Sequence, residues 1–234
     1  MRQPLTGLPH NVHADMPTRV TTVMYVDDGK IYVASKSLAT NIKILSVAYT
    51  QAAAWLQSAG LAPDTEKREL MHYTRRKQDA GLSPPITLQE LDGSTTAVHP
   101  AQHVRWLGVH FDQKLSFDYH VKMAADKAMV AVGRMDMLAN TVRGLSQLNL
   151  RCLYKACVFP ILAYAAAAWW PSRVSKGKLI GKKKHEKVLA KIQRRALLII
   201  CAAFRTTPTE ALELESSIPP IRHLLDQAVR DAGI

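Results

Sequence analysis

The sequence predicts an α+β fold, with strands in the first half of the chain and helices in the second. Three observations carry this reading. Between Val20 and Ser35 β-branched and aromatic residues alternate around Asp28-Gly29, the pattern of a tight hairpin. From Ser37 the apolar residues recur at intervals of three and four. Beyond Asp118 that helical spacing continues to the C-terminal region. At 234 residues, 47% hydrophobic and 21% charged, the chain can bury a core as one large domain or two small ones.

The hairpin over residues 20–35 leads into a helix carrying Ile42, Leu45, Tyr49, Ala52, Leu56 and Ala59 on one face, with Gly60 as its C-terminal cap. After a polar connection, RELMHYTRR and ITLQELDG read as short strands separated by Ser83-Pro84-Pro85. VRWLGVHFDQ is a further strand candidate. A helix opened by Phe117 or Asp118 then aligns Val121, Ala125, Ala128, Val132 and Met135, ending near Asn140. Ser146 caps a long apolar helix running towards Trp170, bent at Pro160 and closed by Pro171. Residues 182–204 form a third helix. RTTPTEALELESS begins a fourth, with Thr207 or Thr209 as cap and Glu210 or Glu213 favouring its positive end.

The chain carries 31 Lys and Arg against 19 Asp and Glu, a formal charge of +12 that favours polyanionic partners such as nucleic acid. Nine of those net charges lie between Arg173 and Arg195. Ten bases there, among them Lys182, Lys183, Lys184, Lys187, Lys191, Arg194 and Arg195, face Glu186 alone. Such a run is read as a backbone-binding groove, a nuclear-localisation signal, or a solvated face that keeps the chain soluble. Cys152, Cys157 and Cys201 form no CxxC pair, so neither a disulfide framework nor a zinc ribbon is indicated. The first residues hold no apolar signal core, and an intracellular, reducing setting is expected. Ala156–Trp170 is apolar but short of the ~20 residues a bilayer span needs. A buried helix is expected there, and no membrane partner.

Asp27 and Asp28 have two readings. Asp28-Gly29 is the left-handed corner of a turn and Asp27 incidental, or the two carboxylates hold a hard divalent cation through oxygen ligands on a framework fixed by the strands. Spacing alone does not choose between them.

The order of the pieces resembles the reverse transcriptases of non-LTR (LINE-type) retrotransposons. YVDD at Tyr25–Asp28 resembles the polymerase motif on the palm hairpin. GLAPDTEKREL, Gly60–Leu70, is similar to the next motif, with a lysine seven residues after the glycine. RWLGVHFDQKLSFDYH, Arg105–His120, resembles the primer-gripping strand and the start of the thumb. LYKACVFPILAYAAAAWW and IQRRALLIICAAFRTTPTEALELESSIPPI resemble the helical region that follows. The likeness spans roughly residues 18–222.

The resemblance implies a partial palm of hairpin strands plus helix over 18–117, an all-helical thumb-like region with the basic patch over 118–204, and a helical connection over 205–234. Residues 1–17 are a non-family segment or a scar, Gly7-Leu8-Pro9 standing for what is left of an earlier motif. Asp27 is implied as the magnesium ligand and Asp28 as the supporting carboxylate, in two-metal nucleotidyl transfer. Lys67 is implied as a proton donor near the leaving group, or is an ordinary surface lysine. Tyr25, on the same strand face as Asp27, packs against primer or nucleotide, or is a core tyrosine. Trp106, Leu107 and Gly108 are implied to position the primer end, the alternative being a core strand. The implied partners are an RNA template, a DNA primer or RNA–DNA duplex, and deoxynucleotides, with nuclear residence.

The family places an upstream metal carboxylate and a glycine-rich nucleotide pocket well before the YxDD hairpin. Only 24 residues precede Tyr25, and Asp15 lies too near the hairpin to substitute. The expectation is therefore a truncated polymerase that holds magnesium weakly and is inactive alone. Two other readings stand beside it: a non-enzymatic nucleic-acid-binding module built on the basic thumb-like region, and a relic that folds poorly because strands are missing.

Overall fold

Val20–Tyr25 (β1) and Asp28–Val33 (β2) pair antiparallel with Tyr25 opposite Asp28 and Met24 opposite Gly29. Val26 and Asp27 form the two-residue turn. The left-handed residue is Val26, at φ 56°, and not the Asp28-Gly29 pair, which lies inside β2. That corrects the turn reading: the register places the turn two residues earlier, at Val26-Asp27. The computed structural model describes residues 20–74, 79, 81–90, 92–139, 144–170, 174–175, 178–179 and 183–233.

Two compact units divide the chain. The first comprises residues 1–108 and 112–114, the second 109–111 and 115–234. In the first, Ser37 caps the helix Leu38–Ser58 (α1) by accepting from the Thr40 amide, and Gly60 takes the left-handed position just after it, at φ 74°. Its inner face meets Ile86–Gln89 (β3), which pairs antiparallel with Thr95–Val98 (β4). Leu70, Ile86 and Leu88 are buried there, with Ile42, Leu45, Tyr49 and Val98 packed against them. The Ser46 hydroxyl donates to the Thr87 carbonyl at 2.9 Å, fixing helix to strand. Arg68 pairs with Glu90 at 2.6 Å and lies over the Tyr49 ring, so its charge is neutralised where water is scarce. Among its described residues, 68–74, RELMHYTRR forms no strand, and Leu70 makes a single bridge, to Pro100.

VRWLGVHFDQ is two strands, His103–Trp106 (β5) and Val109–Asp112 (β6), because Leu107 and Gly108 both take positive φ, 46° and 79°, and interrupt it.

In the second unit, Asp118–Leu138 (α2) buries the five expected residues Val121, Ala125, Ala128, Val132 and Met135. Asn140 lies outside the described residues. Ser146 caps Gln147–Leu153 (α3) through the Asn149 amide, but the helix is not continuous to Trp170. A π turn spans Tyr154–Val158, followed by Phe159–Leu162 (α4) and, after left-handed Ala165, by Ala166–Trp169 (α5). Pro160 supplies a reason: it has no N–H to give and its ring crowds the carbonyl four residues back. The Phe159 amide accordingly donates to the Tyr154 carbonyl, five residues back. Pro171 lies outside the described residues. Val174–Ser175 (β7) pairs with Lys178–Leu179 (β8).

Lys183–Ile200 (α6), Thr209–Ser216 (α7) and Ile221–Asp231 (α8) complete the unit. The third helix therefore stops at Ile200, before left-handed Ala202. Neither Thr207 nor Thr209 caps α7; Pro208 occupies that position with no side-chain bond. Three hydrogen bonds join buried polar groups of distant segments. Tyr154 donates to Gln193 at 3.1 Å, Gln193 donates to the Pro219 carbonyl at 2.8 Å, and the Trp170 indole donates to Asp226 at 2.7 Å. No helix among the described residues is long and apolar enough to cross a membrane.

Candidate metal-binding hairpin and basic helix face

The β1–β2 tip is an exposed platform. Met24, Tyr25 and Val26 are 52%, 61% and 86% exposed, and Asp27 and Asp28 are exposed with them. A β-branched residue in the left-handed region costs about 1–2 kcal/mol, so the strands on either side hold Val26 against a local preference. Tyr25 is not a core residue. Nor does strand alternation align it with Asp27: Asp27 sits in the turn, and Tyr25 is the cross-strand partner of Asp28.

Asp28 and Lys30 are two apart on β2 and therefore share a face. The Lys30 ammonium is half-buried and held below its usual range by that burial, opposed by the charges of Glu69 and Asp28. Lys67, 85% exposed, pairs with Asp64 at 2.9 Å. The hydrogen bond and charge of Asp64 hold the Lys67 ammonium above its usual range, and the charge of Asp27 adds to this. Lys67 and Asp27 are thus within electrostatic reach of one another. Sequence reasoning missed Lys30 and Asp64, although the alternation after Asp28 makes Lys30 legible.

Trp106 is half-buried and its indole N–H meets no acceptor. Leu107 and Gly108 follow it as the left-handed turn already described. Glycine at that corner lets another chain approach the backbone closely.

Two adjacent carboxylates are hard oxygen donors of the kind magnesium takes, and the ion keeps several waters when so few protein ligands are offered. Among the described residues no group of three or more His, Cys, Asp or Glu is assembled to hold a metal. The donor set therefore fits a weakly held, largely hydrated ion at Asp27 and Asp28. Asp15 lies outside the described residues.

In the second unit, α6 buries His185, Leu189, Ile192, Gln193, Ala196, Leu197 and Ile200. Its exposed side carries Lys183, Lys187, Lys191 and Arg195 at every fourth position, with Lys184 beside them. A four-residue step is about 6 Å along a helix axis. The row therefore sets four cations at regular intervals along the exposed side of the helix. Lys184 and His185 both reach Asp118, each at 2.7 Å, and these two bonds hold the Asp118 carboxyl below its usual range. Arg194 is spent on the fold: it donates to the Thr209 hydroxyl at 2.8 Å and the Arg205 carbonyl at 2.9 Å. Lys182 lies outside the described residues.

Among known proteins, the chain is similar to two from Nasonia vitripennis. It is 29% identical over 132 residues to the "Retrovirus-related Pol polyprotein from type-1 retrotransposable element R1 4", a match covering 56% of this chain and 31% of that protein. It is 26% identical over 111 residues to the corresponding polyprotein of element R1 3, covering 47% of this chain and 29% of that one. No family model and no solved structure matches. The chain spans about a third of the length of these curated relatives, and its likeness is to Pol polyproteins of type-1 retrotransposable elements.

Proposed function

We propose that the chain is part of an RNA-directed DNA polymerase of a LINE-type retroelement, in which the β1–β2 hairpin is the metal-binding element of the palm and α6 belongs to a thumb-like, nucleic-acid-binding unit. The observation that carries this reading is the pair Asp27 and Asp28 at an exposed, strained hairpin tip, with protonated Lys67 in electrostatic reach. The motif order of the resemblance and the likeness to R1 polyproteins support it.

Asp27 and Asp28 would hold magnesium. Bound there, the ion supplies a Lewis acid that neutralises charge on the transferred phosphoryl group. Lys67, kept protonated by Asp64, carries the proton that a departing pyrophosphate oxygen takes up. Tyr25 offers an exposed ring beside Asp28 for a base or sugar to pack on. Trp106, Leu107 and Gly108 seat the primer end, and Lys183, Lys187, Lys191 and Arg195 follow the phosphates of the template–primer duplex.

With two carboxylates and no third grouped with them among the described residues, the chain by itself extends a primer weakly or not at all. The test is magnesium-dependent extension of a DNA primer on an RNA template, parent beside Asp27→Asn. Extension abolished by Asp27→Asn establishes the polymerase reading and overturns the inactivity. Extension that the substitution leaves unchanged removes Asp27 from the mechanism.

The α6 row favours a second reading, a nucleic-acid-binding module without catalysis. On it Asp27→Asn binds an RNA–DNA duplex as the parent does. With four phosphates met by the row, log K falls with log salt at a slope of about −3.6. A flat salt dependence ends this reading.

A further inference from the structure

The α7 face and the loop after it form a shallow groove of about 610 Å³, lined by Glu210, Glu213, Leu214, Ser217, Ile218 and the pair Pro219-Pro220. Its arrangement follows from helical spacing. Glu210, Glu213, Leu214 and Ser217 stand at i, i+3, i+4 and i+7, so they share one side of α7, while Leu212 and Ser216 turn into the core. Ser217 ends the helix in the left-handed conformation, at φ 51°, and turns the chain so that Ile218, Pro219 and Pro220 run beside that face. The Gln193 amide holds the Pro219 carbonyl at 2.8 Å, so the far wall is fixed to the core.

Two properties mark this face. Leu214 is 81% exposed, an apolar side chain in open solvent beside the proline wall. The carboxylates are also uncompensated: α7 carries Glu210, Glu213 and Glu215 and no base, in a chain of net charge +12. Among the described residues no Lys or Arg forms an ion pair with Glu210 or Glu213. Like charges three apart on a helix repel, and a cation placed between them relieves this. The Glu213 carboxyl is pushed up by burial and by Glu210, with His223 opposing.

We propose that this groove docks a basic segment of a partner polypeptide, an aliphatic side chain entering between Leu214 and Pro219-Pro220 while flanking Lys or Arg side chains meet Glu210 and Glu213. The volume suits a short peptide segment and not a folded domain. The rigid proline wall and helix face lose little freedom when the segment binds. The surface is acidic where α6 is basic, so its partner differs in chemistry from nucleic acid, and the inference is independent of the polymerase reading.

The probe is a fluorescein-labelled peptide of two leucines flanked on each side by two bases, with a control in which glutamates replace the bases. Fluorescence anisotropy reads binding, and amide shifts in ¹H–¹⁵N spectra locate it. Saturable binding of the basic peptide alone, with shifts gathered over residues 210–220, is expected. Leu214→Ser weakens it about tenfold or more, as loss of a central apolar anchor does. Glu210→Gln with Glu213→Gln weakens it several-fold at low salt. Leu214→Ser keeps the parent's circular dichroism and its affinity for an RNA–DNA duplex. Absence of saturable binding up to about 1 mM, equal binding of the acidic control, or shifts gathered elsewhere overturns the proposal.

Discussion

Val26 concentrates a conformational cost at the place where the chemistry is proposed. Its left-handed φ of 56° is one that glycine adopts freely and a β-branched residue does not. Val26→Gly relieves that cost at some loss of chain entropy. The net expectation is a gain of about 1 kcal/mol, read as a higher urea midpoint at unchanged slope. A lower midpoint would mean that contacts of the valine side chain, 86% exposed, outweigh the backbone term. Trp170 presents the opposite case. Its indole is the donor for Asp226, which is 9% exposed on α8. Trp170→Phe keeps most of the packing and strands the carboxylate, so a loss of about 2–3 kcal/mol is expected in chemical denaturation. A loss below about 0.5 kcal/mol would show that another donor reaches Asp226.

Among the elements, α6 does two jobs with one periodicity. The residues that bury it and the residues that charge it interleave, so its basic face can be altered without touching the core. Lys187→Glu with Lys191→Glu should leave circular dichroism unchanged, weaken duplex binding, and reduce the salt slope by about two. An unchanged slope would place the phosphate contacts elsewhere. The broken helix over Gln147–Trp169 is the element that periodicity described least well. From Ala156 onward its composition is almost wholly apolar, so no polar face marks where one helical segment gives way to the next. Pro160 announces a bend, but the π turn before it depends on which carbonyl the Phe159 amide can reach.

At the scale of the molecule the two units differ in how much apolar surface they enclose. Among the described residues one cluster of 24 buried side chains holds the second unit, against three in the first. Burial dominates stability, so the first unit should open at lower free energy. Hydrogen exchange checks this: amides of β1, β2 and α1 exchange before those of α2 and α6 as urea rises. Simultaneous exchange would mean that the units unfold as one. Acid acts on the second unit. Burial holds His120 below its ordinary value near 6.5, and its two hydrogen-bonded partners hold Asp118 below 3.8. The unfolded chain protonates His120 first as pH falls, so stability present above about pH 6.5 declines below it. A second decline, from Asp118, begins below about pH 4. Melting temperatures at pH 7.5 and pH 5.5 should differ, and by less in His120→Gln; an equal drop in that variant would assign the effect to another group.

The order of strands and helices, the capping serines Ser37 and Ser146, the buried stripe of α2 and the charge on α6 were all legible in the sequence, because each depends on neighbours within a turn or two. So was the candidate pair Asp27-Asp28. Tertiary structure alone decided which of the patterned residues remain available. Arg194 reads like its neighbours yet is tied to Thr209 and Arg205, while Lys67 acquires Asp27 as a nearby charge. The register of β1 on β2 moved the turn from Asp28-Gly29 to Val26-Asp27, and the fold put an uncompensated Glu210 and Glu213 beside Pro219-Pro220. Local propensity acts through the backbone over a few residues, whereas pairing, register and burial are set by groups that meet only when distant segments pack.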